Sequence, residues 1–172
     1  MIVISELILD NLMEHWNTIE SLLVTIVLLF TCTIGVLMSY LVAERLISDI
    51  LSQTDIMLSV NSGSGICEVR IEDRLPFRIR NQWATLGYEE RSWHIHLNMD
   101  KIITARFVKE IGTNGLGSYS IRFFDSEGKL AMRANFTRMY DEQGNLIQDK
   151  VSKFEEIFKK YGSKDELSLA KE

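Results

Sequence analysis

The sequence predicts an α+β protein in which one N-terminal transmembrane helix is followed by an antiparallel β-sheet domain that a C-terminal helix closes. Residues 21–43 contain no charged side chain, and a membrane span needs about 20 consecutive apolar residues. From residue 55 onward, apolar residues alternate with polar ones in the two-residue period of strands. Residues 147–161 return to the spacing of an amphipathic helix.

The N-terminal part of the chain divides into an acidic amphipathic lead (1–20), the predicted span (21–43) and a helical stalk (44–54). Arg45 is the first basic residue of the chain and follows the span. Because basic residues favour the cytoplasmic side, we expect a single-pass integral membrane protein with its N-terminus outside and its C-terminal domain in the cytoplasm. A cleaved signal peptide, or a core or interfacial helix, is the alternative.

Charge and cysteine content argue against several classes of function. The formal net charge is −5, and basic and acidic residues nearly balance beyond residue 45, so we expect no nucleic-acid partner. The two cysteines, Cys32 and Cys67, do not suggest a disulfide framework. The sequence contains no phosphate-binding loop or nucleophile elbow. No catalytic residue is therefore predicted, and we expect the protein not to be an enzyme.

The predicted sheet domain covers residues 55–162. Glycine-containing loops at 61–65 and 125–128 read as hairpin turns between strands. The strand candidates are residues 56–60, 66–71, 77–80, 82–88, 92–97, 105–109, 119–125 and 129–136.

The C-terminal helix has recognisable signals at both ends. Asn145 and Gln148 stand at the spacing of a capping box, and Gly162 is a suitable residue to end the helix. We expect this helix to cover one face of the sheet. Residues 163–172 are predicted to be a polar tail.

Alternation along the strands gathers polar side chains on the sheet face that the helix leaves open. These residues are His94, His96, Arg122, Arg133 and Asn135. Imidazole and guanidinium groups on one face suit an anionic ligand or a metal-containing cofactor. His94 and His96 also form a His-x-His pair that is compatible with a metal ion. Exposed strands carry polar residues for solubility as well, and that alternative stays open.

Several segments of this domain form a distinctive series along the chain. They are WHIHLNMDKI (93–102), ARFVK (105–109), SIRFFDSEG (120–128) and KFEEIF (153–158), with CEV (67–69) and FRIR (77–80) upstream. These segments resemble the haem-utilisation carriers of the HemS and HutX type. In that family a histidine-bearing strand precedes an acidic turn, a hairpin follows, and a helix closes the unit. The resemblance covers residues 56–162.

The resemblance implies a split-barrel antiparallel sheet, often dimeric, that passes haem between partner proteins. It implies His94 or His96 as the haem ligand and Arg122 or Arg133 near the propionates. We therefore expect a membrane-anchored, non-catalytic domain that binds haem, or a similar acidic ligand, on an open sheet face, with a haem donor or acceptor protein as partner. The alternative is a membrane-tethered assembly or scaffold protein that binds another protein through this face. Enzymatic breakdown of haem is a third hypothesis.

Overall fold

The computed structural model describes residues 2–88, 90, 93–113 and 115–169, without the side chains of residues 2–15, 17 and 32–40. The chain divides into a first compact unit that ends at Met38 and a second that begins at Ser39. Helix α1 (Ile2–Leu51) supplies the first unit and the start of the second. Most of the amphipathic face predicted for residues 1–20 lies outside the described side chains.

The prediction of a transmembrane helix is corrected by the structure. Over the side chains that are described, no helix is long and apolar enough to cross a membrane. Residues 32–40 of the predicted span lie outside the described side chains. The predicted fold class is therefore wrong in its transmembrane helix, and the predicted localisation as a single-pass membrane protein with its N-terminus outside is wrong with it.

The second unit is built on antiparallel strands and a further helix. Their bounds are β1 (Ile56–Asn61), β2 (Ile66–Ile71), β3 (Phe77–Arg80), β4 (Trp83–Gly87), β5 (His94–Asn98), β6 (Ile102–Ile111), β7 (Gly117–Asp125), β8 (Leu130–Phe136), α2 (Gln148–Lys160) and β9 (Glu166–Ser168). The larger sheet has six strands in the order β2-β1-β8-β7-β6-β9. The smaller sheet has three strands in the order β3-β4-β5.

The two-residue alternation of the sequence accounts for most of these strands. β2 and β3 have the predicted bounds, and β1 and β8 differ from them by one residue at one end. Residue 92 of the strand predicted at 92–97 lies outside the described residues. β9 falls within the predicted polar tail, where Ser168 pairs with Thr104 of β6 and Leu169 is buried.

The hydrophobic core lies between the six-stranded sheet and the helices of the second unit. Phe154 of α2 is fully buried, and its ring contacts Phe107, Tyr119 and Phe136 at centroid distances of 6.1, 5.4 and 5.2 Å. The apolar side predicted for residues 44–54 is buried in the same core through Leu46, Ile47, Ile50 and Leu51. The amphipathic pattern of α2 therefore covers one face of the sheet.

A hydrogen bond joins the end of α2 to the part of α1 in the second unit. The hydroxyl of Tyr161 donates to Asp49 at 2.7 Å, and Lys160 forms an ion pair with the same carboxylate. Burial, assisted by the Asp49 carboxylate, raises the pKa of Tyr161 above its usual range. The tyrosine is therefore a neutral donor throughout the physiological pH range.

The start of α2 differs from the predicted capping box. The helix begins at Gln148, its N-cap is Ile147, and no side chain caps it. Asn145 instead belongs to the preceding turn, where its backbone and side-chain amides donate to Asp141 at 2.7 and 3.1 Å. The predicted cap is wrong because the amide of Asn145 is engaged by that turn.

Asp55 connects the entrance of β1 to α2 and to the end of β8. Its carboxylate accepts hydrogen bonds from Lys150 and, at 2.9 Å, from Arg138, while its backbone carbonyl accepts from the amide of Thr137 at 2.8 Å. The hydrogen bond from Lys150 is the main cause that lowers the pKa of Asp55.

We expect Asp55→Asn to lower the free energy of unfolding by about 1–3 kcal/mol at pH 7, since two cations lose their carboxylate. Because the pKa of Asp55 is lowered in the folded state, this stabilisation is present above the unfolded-state pKa of about 3.9 and is lost as the pH falls through the folded-state value. Denaturant unfolding at pH 7 and pH 3 checks it, with Glu142→Gln as an exposed control. An equal difference from the wild type at both pH values would contradict the ion-pair explanation.

Candidate functional site

Strand β5 carries His94 and His96 on the exposed face of the three-stranded sheet. Both imidazoles are exposed, whereas the neighbouring Leu97 is buried. The two rings meet edge to face with a centroid distance of 4.8 Å. The strand period therefore converts the His-x-His sequence into a pair of adjacent imidazoles.

Thr85 fixes the orientation of the His96 ring. It lies directly opposite His96 in the pairing of β4 with β5, and its Oγ1 is 3.1 Å from Nδ1 of His96. Thr85 is only 6 % exposed, so its hydroxyl is held in place by the surrounding chain. Because Nδ1 is engaged, Nε2 is the nitrogen of His96 that remains for a ligand.

Gly87 shapes the backbone next to His94, its partner across the two strands. Its φ of +99° is a conformation that glycine adopts without strain. A Cβ at this position would lie 3.1 Å from Cζ3 of Trp93 and 3.4 Å from the Trp93 carbonyl oxygen. Glycine therefore allows Trp93 to pack closely against β4 just before the first histidine.

A cleft of about 500 Å³ lies next to His96. Strand β5, the start of β6 and the turns of the β1-β2 and β7-β8 hairpins form its walls. The lining is mainly apolar, and Lys101, Lys129 and Asp125 supply charge. Pockets of this size, apolar with a few polar groups, are typical of small-molecule sites. The apolar part is lined by Val60, Leu97, Ile102, Leu130 and Ala131.

The other predicted site residues lie on the six-stranded sheet. Arg122 of β7 is directly opposite Arg133 of β8, and Asn135 follows on the same strand. Arg122 forms an ion pair with Glu110, and its Nε donates to Ser120 at 3.1 Å. Nδ2 of Asn135 is 3.4 Å from Oγ of Ser59.

Arg133 has a buried Nε that has no hydrogen-bond partner within the described part of the chain. The structure therefore brings His94 next to His96 and Arg122 next to Arg133, and places these two pairs on different sheets. A common role for all five predicted residues stays a prediction.

The described residues contain no group of three or more His, Cys, Asp or Glu side chains that is arranged to hold a metal ion. Within the part of the chain that the structure describes, the candidate ligands for a metal ion at this face are therefore the two imidazoles of His94 and His96. Their role as metal ligands stays a prediction.

The sequence pattern alone misses three residues of the site, Thr85, Lys101 and Lys129. Thr85 depends on the register of β4 against β5, which the long connection between these strands does not reveal. The two lysines lie in turns. The two-residue alternation of strands does not predict on which face of a sheet a turn residue lies. Thr85 is a polar residue within an otherwise apolar strand. This is the sequence signal that could have identified it as a site residue.

Comparison with known proteins identifies chains that share this fold. Two solved structures of ChuX, one of which describes it as a heme-binding protein, superpose with TM-scores of 0.55 and 0.53, each at 16 % identity over 65 % of this chain and 67 % of theirs. A protein from Erwinia carotovora superposes with a TM-score of 0.51 at 17 % identity, over 65 % of this chain and 66 % of its own. No curated protein matches.

At these identities the superpositions establish a shared fold. A protein-family model also matches residues 44–162, which is more than half of the chain. The chain belongs to the family of the HemS and HutX type, and the resemblance predicted from the sequence is confirmed.

Proposed function

We propose that the chain is a haem carrier that binds haem through His94 and His96 and the cleft next to them. The observation that carries the proposal is the pair of exposed imidazoles 4.8 Å apart, one of them held by Thr85 and lining an apolar cleft. Family membership and the fold shared with ChuX, a heme-binding protein, support the predicted haem cofactor.

The residues of the site suit the chemistry of haem. Bound haem would supply an iron that accepts an imidazole nitrogen as a ligand. Nε2 of His96 is the preferred donor because Thr85 occupies Nδ1. The apolar walls of the cleft suit the macrocycle, and Lys101 and Lys129 suit the propionates.

The predicted contacts of haem with Arg122, Arg133 and Asn135 remain part of the proposal. Arg122 and Asn135 already have protein partners, namely Glu110 with Ser120 and Ser59. These two side chains would have to exchange those partners for a ligand. We therefore assign the iron to the histidine pair and give the three residues a secondary role.

A carrier fits the openness of this face better than an enzyme does. Both imidazoles are exposed, whereas catalytic sites are usually closed against water during reaction. An open site also lets a donor or acceptor protein approach the bound haem. The partners that we propose are such proteins, and a homodimer remains a prediction.

Haem titration of the full chain, followed by Soret absorbance, tests this function. A carrier gives a shifted band that saturates, and that band survives incubation with ascorbate. An unchanged spectrum at micromolar haem would refute haem binding and favour the assembly or scaffold alternative. Loss of the band with ascorbate would instead favour haem breakdown.

We expect Thr85→Val to weaken haem binding by about 10–100-fold, because the isosteric side chain removes the hydrogen bond that orients His96. Thr85→Ser keeps a hydroxyl at this position and is the matched control, with an affinity close to that of the wild type. Titration of both variants measures the effect, and circular dichroism verifies that they are folded. Equal affinities for the two variants would show that the Thr85 hydroxyl does not position the ligand.

A further inference from the structure

We infer that His94 and His96 also chelate a divalent transition-metal ion in the absence of haem, with copper(II) as the probe. The inference depends on the arrangement of the two imidazoles. It does not require that the chain binds haem.

The separation of the rings matches two imidazoles that share one metal ion. With metal–nitrogen bonds of about 2.0–2.1 Å, the ion would lie roughly 3.2 Å from each ring centre. Centres 4.8 Å apart are within the roughly 6.4 Å that two such rings can span through one ion. Rotation of the exposed His94 ring then brings a nitrogen of each imidazole to neighbouring positions of the square-planar or tetragonal complexes that copper(II) prefers.

Thr85 provides the support that metal-binding histidines usually have. Such histidines engage their second ring nitrogen in a hydrogen bond, which fixes the tautomer and the orientation of the ring. The 3.1 Å contact of Thr85 with Nδ1 of His96 has this form. It assigns Nε2 of His96 to the metal, on an exposed face where water completes the coordination.

Copper and haem would compete for the same site. Both require Nε2 of His96, so binding of one excludes the other. This consequence rests on the proposed function, whereas the metal site itself does not. The same measurements must therefore be made first without haem and then with it.

The experiment uses the full chain with His15→Ala, Cys32→Ser and Cys67→Ser. Because the sequence has three histidines and two cysteines, this background keeps His94 and His96 as the only imidazoles and has no thiol. Electron paramagnetic resonance with up to one equivalent of copper(II) should show coupling to the nitrogens of two imidazoles. His94→Ala or His96→Ala should leave one imidazole and weaken binding by more than about tenfold.

Two further variants separate a built site from incidental binding. Thr85→Val should weaken copper binding and Thr85→Ser should not. An unchanged copper spectrum after His94→Ala with His96→Ala, or coupling to a single imidazole in the background protein, would overturn the inference. If the copper-free chain gives an unchanged Soret spectrum at micromolar haem while the copper signature is as expected, the metal site stands and the proposed haem site fails.

Discussion

Replacing both His94 and His96 by alanine is expected to reduce haem affinity more than the loss of a supporting residue such as Thr85 does. Loss of such a supporting residue costs about 10–100-fold in affinity. The double variant removes both candidate iron ligands and leaves the apolar cleft as the main attraction. Because both side chains are exposed, the replacement leaves the core unchanged. Haem titration measures the affinity, and denaturant unfolding verifies that stability is retained.

The single variants divide the effect between the two histidines. His96 lines the cleft and is held by Thr85, so we expect His96→Ala to cost more affinity than His94→Ala. Arg70→Ala, an exposed change on β2 of the other sheet, is the control and should bind haem like the wild type. A double variant with wild-type affinity would place haem elsewhere on the protein.

Replacing Phe154 by alanine is expected to lower the free energy of unfolding by about 3–5 kcal/mol. Its ring is fully buried and contacts side chains from β6, β7 and β8. Removing it leaves a cavity where α2 packs on the sheet, in addition to the lost burial of apolar surface. Denaturant or thermal unfolding of the variant measures the loss.

Phe158→Ala is the matched control because Phe158 lies one helical turn further along α2 and is only partly buried. We expect a smaller loss of stability for this variant. If Phe154→Ala costs less than about 1 kcal/mol, or less than Phe158→Ala, the packing of α2 on the sheet is not as described.

The sheet of this protein could be predicted from the sequence more fully than its first helix. Alternation and glycine turns locate β1, β2, β3 and β8 to within a residue, because strands with one buried face leave a period of two. β9 carries no such pattern, since a three-residue edge strand depends on pairing with β6. Charge-free composition alone predicted the span at residues 21–43, and the described part of that helix does not support it.

The site could be predicted only in part, for a related reason. The two-residue period places His94 beside His96, and the sequence predicts that pair directly. Which strands share a sheet depends on long-range pairing, so the sequence did not reveal that β5 lies in a separate sheet from Arg122 and Arg133. Thr85 reaches His96 only through the register of β4 and β5.

Resonance Raman spectroscopy of the ferrous haem complex tests most directly whether haem is bound through the histidine pair. We expect the wild-type chain to give an iron–histidine stretching band that is absent from the variant lacking both His94 and His96. Retention of this band in the double variant, or a wild-type complex without it, would contradict haem binding through these histidines.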